Sequence, residues 1–406
     1  MKVVEGSITS PKGFKACGNS IGLKKGKKDM ALIMSEVPAV CAATFTTNVV
    51  KAAPVKRDIA VVAKGGKVSG VVINSGNANA CTGDKGIADN EMMAKIYADI
   101  LGVAADEVLT ASTGVIGVML PMDIIENGIK STAPMLSADV AGGHEAALAI
   151  MTTDTVNKEI TVEIELGGKT VTVAGMSKGS GMIHPNMATM LGFITTDAAI
   201  ERELLDEIVK ECVKDTYNMI SVDGDTSTND TLIALANGMA GNDIIKEKNE
   251  DFDKFKEAFY AVNSYLAKKM AEDGEGATKL ITVNVKGAKT KLDARLMAKA
   301  VIGSSLVKAA MFGEDANWGR VMCAMGYSGA DFDPEKVDIV FSSEGGSILL
   351  MDKGTPVKFD EDFALKVLKE KYITVDIDVF NGSENATAWG CDLSYDYVKI
   401  NGDYRS

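Results

Sequence analysis

Apolar runs rich in β-branched residues alternate with amphipathic segments along the whole 406-residue chain. The runs that predict strands are residues 40–45, 70–74, 108–111, 160–165, 171–174, 280–285, 337–341 and 373–379. The segments with helical spacing are residues 85–101, 121–130, 137–150, 201–217, 251–272, 293–309 and 361–370. This alternation predicts a mixed α/β protein.

Two glycines, Gly167 and Gly168, separate the alternating strands 160–165 and 171–174 and predict a β-hairpin. The hairpin leads into a glycine- and proline-rich loop, residues 178–191. Nothing divides the chain as a low-complexity linker would, and the softest boundary lies at residues 274–278, between a predicted helix and a predicted strand.

Composition restricts the class of protein. The chain is 46% hydrophobic and 24% charged, which is typical of globular domains, and it has neither an apolar run of membrane-spanning length nor a signal-peptide profile at its start. We therefore expect a cytoplasmic protein without membrane contact. Six cysteines occur without CxxC spacing, which argues against a zinc site or disulfides and predicts buried free thiols.

Charge and histidine content narrow the chemistry further. Basic and acidic residues balance over residues 1–188, so the net charge of −13 lies entirely in the second half and argues against nucleic acid as a partner. His144 and His184 are the two histidines. A histidine-dependent triad must use one of them, and multi-histidine metal sites are excluded. His184, near the end of the glycine-rich loop, is either a structural loop residue or a base.

The loop 178–191 places Thr189 directly after a small residue, Ala188. A threonine hydroxyl needs an adjacent base, and its own α-amine supplies one once the preceding peptide bond is cut. That amine titrates at about 7.7 to 8.0, so part of it is unprotonated at neutral pH. The alternative is an ordinary turn that leads into a buried strand, residues 190–194.

Other segments hold candidate polar groups, each with a structural alternative. Residues 112–117 follow a predicted strand and offer Thr113 and Gly114 as oxyanion donors, or form a plain strand-to-helix turn. Cys81 is better explained as a packed loop cysteine than as a nucleophile. Residues 223–230 miss calcium-loop spacing and predict a turn with Asx hydrogen bonds. Glu275 lies between two glycines and could face an ammonium group.

Two cations and the C-terminal tail show no pattern that indicates a function. Lys299 and Arg320 are predicted to be solvated, and the tail 401–406 is predicted to be frayed.

Taken together, several segments resemble the ArgJ-type ornithine acetyltransferases, the bifunctional glutamate N-acetyltransferases of arginine biosynthesis. The resemblance covers nearly the full chain, and the match of many segments in family order makes it specific. The segments that carry it are NSGNANACTG (74–83), STGVIG (112–117), MTTDT (151–155), KGSGMIHPNMATML (178–191), STNDT (227–231), DGEGATK (273–279), WGRVMCAMGYSG (318–329) and NGDYRS (401–406).

The resemblance implies self-cleavage between Ala188 and Thr189 into an α chain, 1–188, and a β chain, 189–406, which associate as α2β2. It implies Thr189 as nucleophile and Thr113 with Gly114 as oxyanion hole. The substrate-binding positions that it implies are Thr152, Lys178, Thr189, Glu275, Asn401 and Ser406, with Thr153 as the alternative to Thr152.

The implied fold is an α/β/β/α sandwich shared with DmpA-type aminopeptidases. Residues of about 189–278 are expected to complete it, and about 279–406 to form a smaller C-terminal α/β domain whose tail returns to the site. The implied reaction moves acetyl from N-acetylornithine to glutamate by a ping-pong cycle, with no metal or cofactor. Family members differ in whether they also take acetyl-CoA as a co-substrate, and no motif here distinguishes them.

Two alternative functions are also compatible with the sequence. The same threonine could serve a related aminopeptidase or amidohydrolase, with water as the acceptor. The scaffold could also persist as a non-enzymatic binding protein.

Overall fold

The computed structural model describes residues 1–184 and 190–403. Its strands are β1 (Lys2–Val4), β2 (Phe14–Asn19), β3 (Met30–Phe45), β4 (Val68–Asn77), β5 (Val108–Val115), β6 (Lys158–Leu166), β7 (Lys169–Lys178), β8 (Leu191–Thr196), β9 (Ile220–Ser221), β10 (Thr231–Ala236), β11 (Leu280–Ala288), β12 (Asp338–Ser343), β13 (Gly346–Asp352), β14 (Thr355–Pro356), β15 (Tyr372–Asp378) and β16 (Glu384–Cys391). The helices are α1 (Ala53–Ala63), α2 (Gly83–Leu101), α3 (Met122–Thr132), α4 (Val140–Ile150), α5 (Arg202–Asp215), α6 (Glu250–Glu272), α7 (Lys291–Gly303), α8 (Ser305–Phe312), α9 (Trp318–Gly326), α10 (Glu361–Leu368) and α11 (Tyr395–Asp403).

The first sheet bends through its longest strand, β3. In the order β1-β6-β7-β8-β10-β3-β4-β5, residues Val40–Phe45 of β3 pair with β10, whereas Met30–Met34 pair with β2 and β4. The register of the β3–β4 pair shifts between Met34 and Ala39, which is where a bulge bends a strand. The bend brings two parts of the sheet face to face.

The buried clusters define the layers of this domain. The cluster between the two parts of the sheet joins side chains of β2, β4 and β5 to those of β7, β8 and β10, together with α4. Helices α5 and α6 cover one outer face, and α2 and α3 cover the other. The α/β class and the predicted α/β/β/α sandwich are confirmed.

A seven-stranded sheet forms the second unit, in the order β14-β13-β12-β15-β11-β16-β9. Helices α7, α8, α9 and α10 supply its separate core. Strand β9, at residues 220–221, joins this sheet although it precedes β10 of the first one, so the chain enters the second sheet twice.

Two predictions about elements are wrong. The predicted helix 293–309 is broken, because Ser304 has extended backbone and its side chain accepts from the backbone N–H of Val307 to begin α8. The tail, predicted to be frayed over residues 401–406, is helical up to Asp403, and residues 404–406 lie outside the described residues. The predicted hairpin is confirmed, with positive φ at Gly167 and Gly168.

Candidate active site

Six residues that the sequence predicts for the site line one cavity of about 170 Å³. They are Thr113, Gly114, Thr152, Lys178, Glu275 and Asn401. The cavity is also lined by Ile116, Thr153, Gly181, Met182, Ser227, Thr228 and Asn229. Ala188, Thr189 and Ser406 lie outside the described residues. Residues that are far apart in sequence therefore line one cavity.

The two candidate oxyanion donors lie at the end of β5. Strands β4 and β5 are parallel and end at the same edge, with Gly76 opposite Gly114. Gly114 has φ of +133°, and a Cβ built on it would lie 2.4 Å from the carbonyl carbon of Gly76. Only glycine fits this close backbone approach without displacement. The hydroxyl of Ser112, one residue before Thr113, is bound to Asn74 Oδ1 at 2.7 Å.

The outer edge of β5 is held by α1, through residues that sequence reasoning missed. Asp58 accepts from the backbone N–H of Thr110 at 2.9 Å, and Arg57 donates to the carbonyl of Val108 at 2.8 Å. Burial raises the pKa of Asp58 to about 7, although Arg57 and Thr110 act in the opposite direction. Helix α1 thus satisfies two backbone groups on the outer edge of β5, the N–H of Thr110 and the carbonyl of Val108.

Lys178 ends β7 and points into the cavity while it is almost fully buried. Burial lowers its pKa below the ordinary lysine value, and the negative charge of Asp154, 4.0 Å away, opposes that shift. A buried cation at a cavity wall is a natural contact for a carboxylate.

A buried ion network, also missed at the sequence level, supports Lys178 from behind. Asp154 accepts from Lys158 Nζ and from the backbone N–H of Gly179, both at 2.7 Å. Lys158 donates in turn to Asp273 at 2.6 Å. Burial alone would raise the pKa of Asp154, but the charges of Lys178 and Lys158 outweigh burial and hold it well below its ordinary value. Asp154 is therefore a carboxylate at neutral pH.

Thr152 and Thr153 both line the cavity. The hydroxyl of Thr153 lies 2.7 Å from that of Ser180, while the backbone N–H of Thr152 donates to Asp154 at 3.0 Å. Both candidates for the threonine contact are thus placed at the cavity wall.

Glu275 also lines the cavity and is held through its backbone. Its N–H donates to the carbonyl of Ser180 at 2.8 Å. A Cβ on Gly181 would lie 2.2 Å from Glu275 Cδ, so this glycine makes room for the acid. Asn401 of α11 donates to Glu275 Oε2 at 2.8 Å, which brings the C-terminal helix into the site.

The described end of the glycine-rich loop is held by Asp223. The backbone N–H groups of Met182 and Ile183 donate to this carboxylate at 2.6 and 2.8 Å, and Tyr397 of α11 donates to it through its hydroxyl at 3.2 Å. The predicted Asx hydrogen bond within the turn is present, from Asp225 N–H to Asp223 at 3.4 Å. The chain is therefore restrained just before the segment 185–189.

His184 is directed away from the cavity residues. Its Nδ1 lies 2.9 Å from the hydroxyl of Ser221. Burial lowers the pKa of His184 to about 4, and the charges of Lys299 and Lys308 add to this effect. The imidazole is therefore neutral at neutral pH, and its hydrogen bond supports the structural reading of this residue.

Lys299 and two of the cysteines differ from the sequence-based predictions. Lys299 is not solvated: it donates to the carbonyls of Asn218 and Ile220, both at 2.7 Å. Burial lowers its pKa to about 7. The cysteines are free as predicted, but Cys81 and Cys323 are exposed rather than buried. Cys81 does not line the cavity.

A larger cavity of about 640 Å³ lies between α6, the start of β15 and α11, and it contains none of the predicted site residues. Two of the three lysines that line it, Lys269 and Lys371, are paired with Glu272 at 2.8 and 3.0 Å. Within residues 1–184 and 190–403, no three His, Cys, Asp or Glu side chains are grouped to hold a metal ion. Within the same ranges, no helix has the length and apolar character needed to span a bilayer.

Comparison with known proteins agrees with the geometry. The sequence profile of the ArgJ family matches residues 15–406. The chain is 57% identical to the arginine biosynthesis bifunctional protein ArgJ of Caldanaerobacter subterraneus subsp. tengcongensis and 53% identical to that of Symbiobacterium thermophilum, with 100% of each chain covered in both cases.

Among solved structures, the arginine biosynthesis bifunctional protein ArgJ of Bacillus halodurans is similar, with a TM-score of 0.50 and 42% identity. The match covers 52% of this chain and 98% of that one. The extent of the sequence match leads to one conclusion: the chain belongs to the ArgJ family.

Proposed function

We propose that this protein transfers the acetyl group of N-acetylornithine to glutamate through an acetyl ester on Thr189, after it has cut its own chain between Ala188 and Thr189. The observation that carries the proposal is the convergence of Thr113, Gly114, Lys178 and Glu275 on one cavity. Two of these are donors suited to an oxyanion, one is a cation and one is an anion. Such a set fits an acylated amino acid that carries both a carboxylate and an ammonium group.

Maturation needs a restrained peptide bond and stabilisation of an oxyanion. The chain before it is held by Asp223 at Met182 and Ile183, and the chain after it enters the buried strand β8. Thr189 Oγ attacks the Ala188 carbonyl, and the hydroxyl proton passes to the Thr189 nitrogen as the peptide C–N bond breaks. Water then hydrolyses the resulting ester, which releases the Ala188 carboxylate and restores the Thr189 hydroxyl. Thr113 and Gly114 stabilise the oxyanion, a contribution commonly worth about 3 to 4 kcal/mol for each donor.

The products would remain together because the sheet joins them. Strand β8, in the 189–406 fragment, pairs with β7 of the 1–188 fragment on one side and with β10 on the other. The pairing of β3 with β10 joins the fragments a second time. The solved relative, which matches 52% of this chain over 98% of its own length, has the extent expected for one of two fragments. Association of two such pairs into α2β2 is part of the proposal.

In turnover, the α-amine of Thr189 takes the proton from its own Oγ, which attacks the acetyl carbonyl. The tetrahedral intermediate collapses, the amide C–N bond breaks, and the same amine returns the proton to the departing amine of ornithine. The amine of glutamate then attacks the ester and takes the acetyl group, and the proton returns to Oγ. Both half-reactions use one oxyanion site, which is why a ping-pong cycle needs no second active site.

The charges of the cavity assign the two ends of the substrate. Lys178 binds the α-carboxylate, and its nearby positive charge disfavours protonation of the Thr189 amine, which keeps that amine a base. Glu275 faces the side-chain ammonium of N-acetylornithine. Asn401 brings helix α11 to the cavity, and the proposal assigns a further substrate contact to Ser406. Exclusion of water from the cavity favours transfer over hydrolysis.

An acceptor assay tests this proposal. The purified protein is given isotope-labelled N-acetylornithine with glutamate, and the label is followed into N-acetylglutamate and free acetate. We expect N-acetylglutamate to dominate, whereas acetate as the main product would identify a hydrolase. Replacement of the donor by acetyl-CoA in a parallel reaction determines whether the protein is bifunctional.

A further inference from the structure

Segment 227–231 lies beside the cavity, yet the reaction outlined above gives it no role. Asn229 is 6% exposed, and its Nδ2 donates to the carbonyl of Ala78 at 2.6 Å and to that of Ser112 at 2.8 Å. Its Oδ1 accepts from the hydroxyl of Thr228 at 2.5 Å, which fixes the amide orientation. Ser112 is bonded directly to Thr113, so Asn229 holds the peptide that precedes the candidate oxyanion donors.

The next residue, Asp230, binds the backbone that follows Thr189. Asp230 is 1% exposed, and its Oδ1 accepts from the backbone N–H of Met190 at 2.6 Å. Met190 is bonded directly to Thr189. The backbone reinforces this contact, because Thr231 N–H donates to the carbonyl of Met190 at 3.0 Å, and Thr231 pairs with Leu191 in the parallel β8–β10 ladder.

The charge state of Asp230 matters for how it can be replaced. Burial raises its pKa well above the ordinary value, while the Met190 N–H, Thr46 and the charge of Lys178 act in the opposite direction. Asparagine matches the carboxyl group in shape and carries no charge that burial would penalise. Asparagine also keeps an oxygen that can accept from Met190.

We propose that Asn229 and Asp230 are positioning residues that together set the distance between the Thr189 hydroxyl and the oxyanion donors Thr113 and Gly114. This inference rests on the proposed function. Asn229 binds the carbonyl of Ser112, directly before Thr113, and Asp230 binds the N–H of Met190, directly after Thr189. Because the two residues are adjacent in the chain, their contacts couple the backbone on both sides of the site. Oxyanion donors act only within about 2.7 to 3.1 Å, and a displacement of about 1 Å can cost about 100-fold in rate.

A positioning role and a purely structural role are distinguished by their effects on kcat, KM and thermal stability. The oxyanion forms only in the transition state, so a misplaced donor lowers kcat and leaves KM nearly unchanged. A general loss of structure lowers thermal stability and the fraction of competent sites instead. Rates must therefore be normalised to sites that form acetyl-enzyme.

The chain offers a matched control for Asn229. Asn242 is also buried, at 7% exposure, and its Nδ2 also donates to two backbone carbonyls, those of Ala199 and Asp243 at 3.2 and 2.8 Å. It does not line the cavity. Substitution of either asparagine by aspartate removes a comparable pair of donors, but only one of these pairs holds the strand end that precedes Thr113.

The experiment compares Asn229→Asp, Asn242→Asp, Asp230→Asn and Asp230→Leu for self-cleavage rate, kcat per acetylated site, KM and thermal midpoint. We expect Asn229→Asp and Asp230→Leu to lower the cleavage rate and kcat by about 100-fold, with KM within about twofold of wild type. Asp230→Asn should stay within about threefold, because it keeps the acceptor for Met190. Asn242→Asp should lose stability without a change in kcat.

Two results would overturn the inference. One is a loss of kcat and cleavage in Asn229→Asp no greater than in Asn242→Asp. The other is a fall in Asp230→Asn as deep as in Asp230→Leu, since it would show that the retained acceptor does not matter. If Asp230→Leu does not fold, the comparison between Asn229→Asp and Asn242→Asp still decides. Failure of the wild type to cleave or to transfer acetyl would instead reject the proposed function.

Discussion

Asn401 Nδ2 donates to Glu275 Oε2 over 2.8 Å, so the C-terminal helix binds directly to the acid that faces the cavity. The same helix reaches Asp223 through Tyr397, at 3.2 Å. These contacts join the end of the chain both to the proposed ammonium site and to the loop that precedes the proposed cleavage point. Helix α11 therefore contributes Asn401 to the wall of the site.

Asn401→Asp should raise KM for N-acetylornithine by about tenfold or more. The new carboxylate would face Glu275, and the two like charges would push Glu275 out of place and order the tail less well. Steady-state rates measure the effect, and self-cleavage should continue. Lys399→Ala is the control, because Lys399 on the same helix lines the larger cavity instead. Equal effects in the two variants would contradict a specific role for the Asn401–Glu275 contact.

Gly114→Ala should abolish most acetyl transfer and slow self-cleavage. Its Cβ would lie 2.4 Å from backbone of Gly76, so β4 and β5 must separate just where the oxyanion donors lie. Gly117→Ala is the matched control: Gly117 also has positive φ, of +76°, but a Cβ there meets nothing within 4 Å. We expect this control to lose about 1 kcal/mol of stability and to stay active. Cleavage rate and kcat are the measurements, and similar activity in both variants would argue against the assignment of Gly114.

The sequence predicted the α/β class, the hairpin and the segments that converge on the cavity. It could not predict that helix 293–309 breaks, because a serine at position 304 is also compatible with the interior of a helix. In the structure, the Ser304 hydroxyl instead caps the start of α8. Nor could it reveal the Asp154–Lys158–Asp273 network. Lysine is mostly exposed in proteins, so the sequence alone predicts a surface position for a lysine whose buried partners are distant in the chain. Lys299 was misassigned for the same reason.

Asp154→Asn should lower the thermal midpoint at neutral pH, because it removes the buried counter-charge of Lys178 and leaves Lys158 with Asp273 alone. Breaking a buried pair in this way costs about 3 to 5 kcal/mol. The folded pKa of Asp154 lies below its ordinary value, so its contribution is complete above the unfolded pKa of about 3.9 and is lost as the pH falls through the folded pKa. The difference in thermal midpoint between the variant and the wild type should therefore become smaller as the pH falls.

The control for this variant is Asp99→Asn, which removes an exposed pair in which Lys95 lies 2.6 Å away. Such pairs are worth about 0.3 to 0.5 kcal/mol. Thermal scans from neutral to acidic pH make the comparison. A gap for Asp154→Asn that stays constant down to strongly acidic pH would show that the carboxylate is not the stabilising species.

Lys178→Met should raise KM for both N-acetylornithine and glutamate, since both carry an α-carboxylate. Burial lowers the pKa of Lys178, so the wild-type lysine should lose its charge at a lower pH than a solvated lysine does. The wild-type KM should then rise on the alkaline side, whereas the KM of the variant should be high and independent of this titration. Initial rates across neutral and alkaline pH test this. A variant with wild-type KM would exclude Lys178 as the carboxylate contact.

The central claim is that Thr189 is freed by cleavage and then carries the acetyl group. Intact-mass spectrometry of the purified protein, before and after addition of N-acetylornithine without glutamate, tests it most directly. The account predicts two fragments, 1–188 and 189–406, with one acetyl group gained by the second fragment on Thr189 and lost again when glutamate is added. It predicts a single uncut and unacetylated chain for Thr189→Ala. A wild-type protein that transfers acetyl while uncut, or an acetyl group on any other residue, would contradict it.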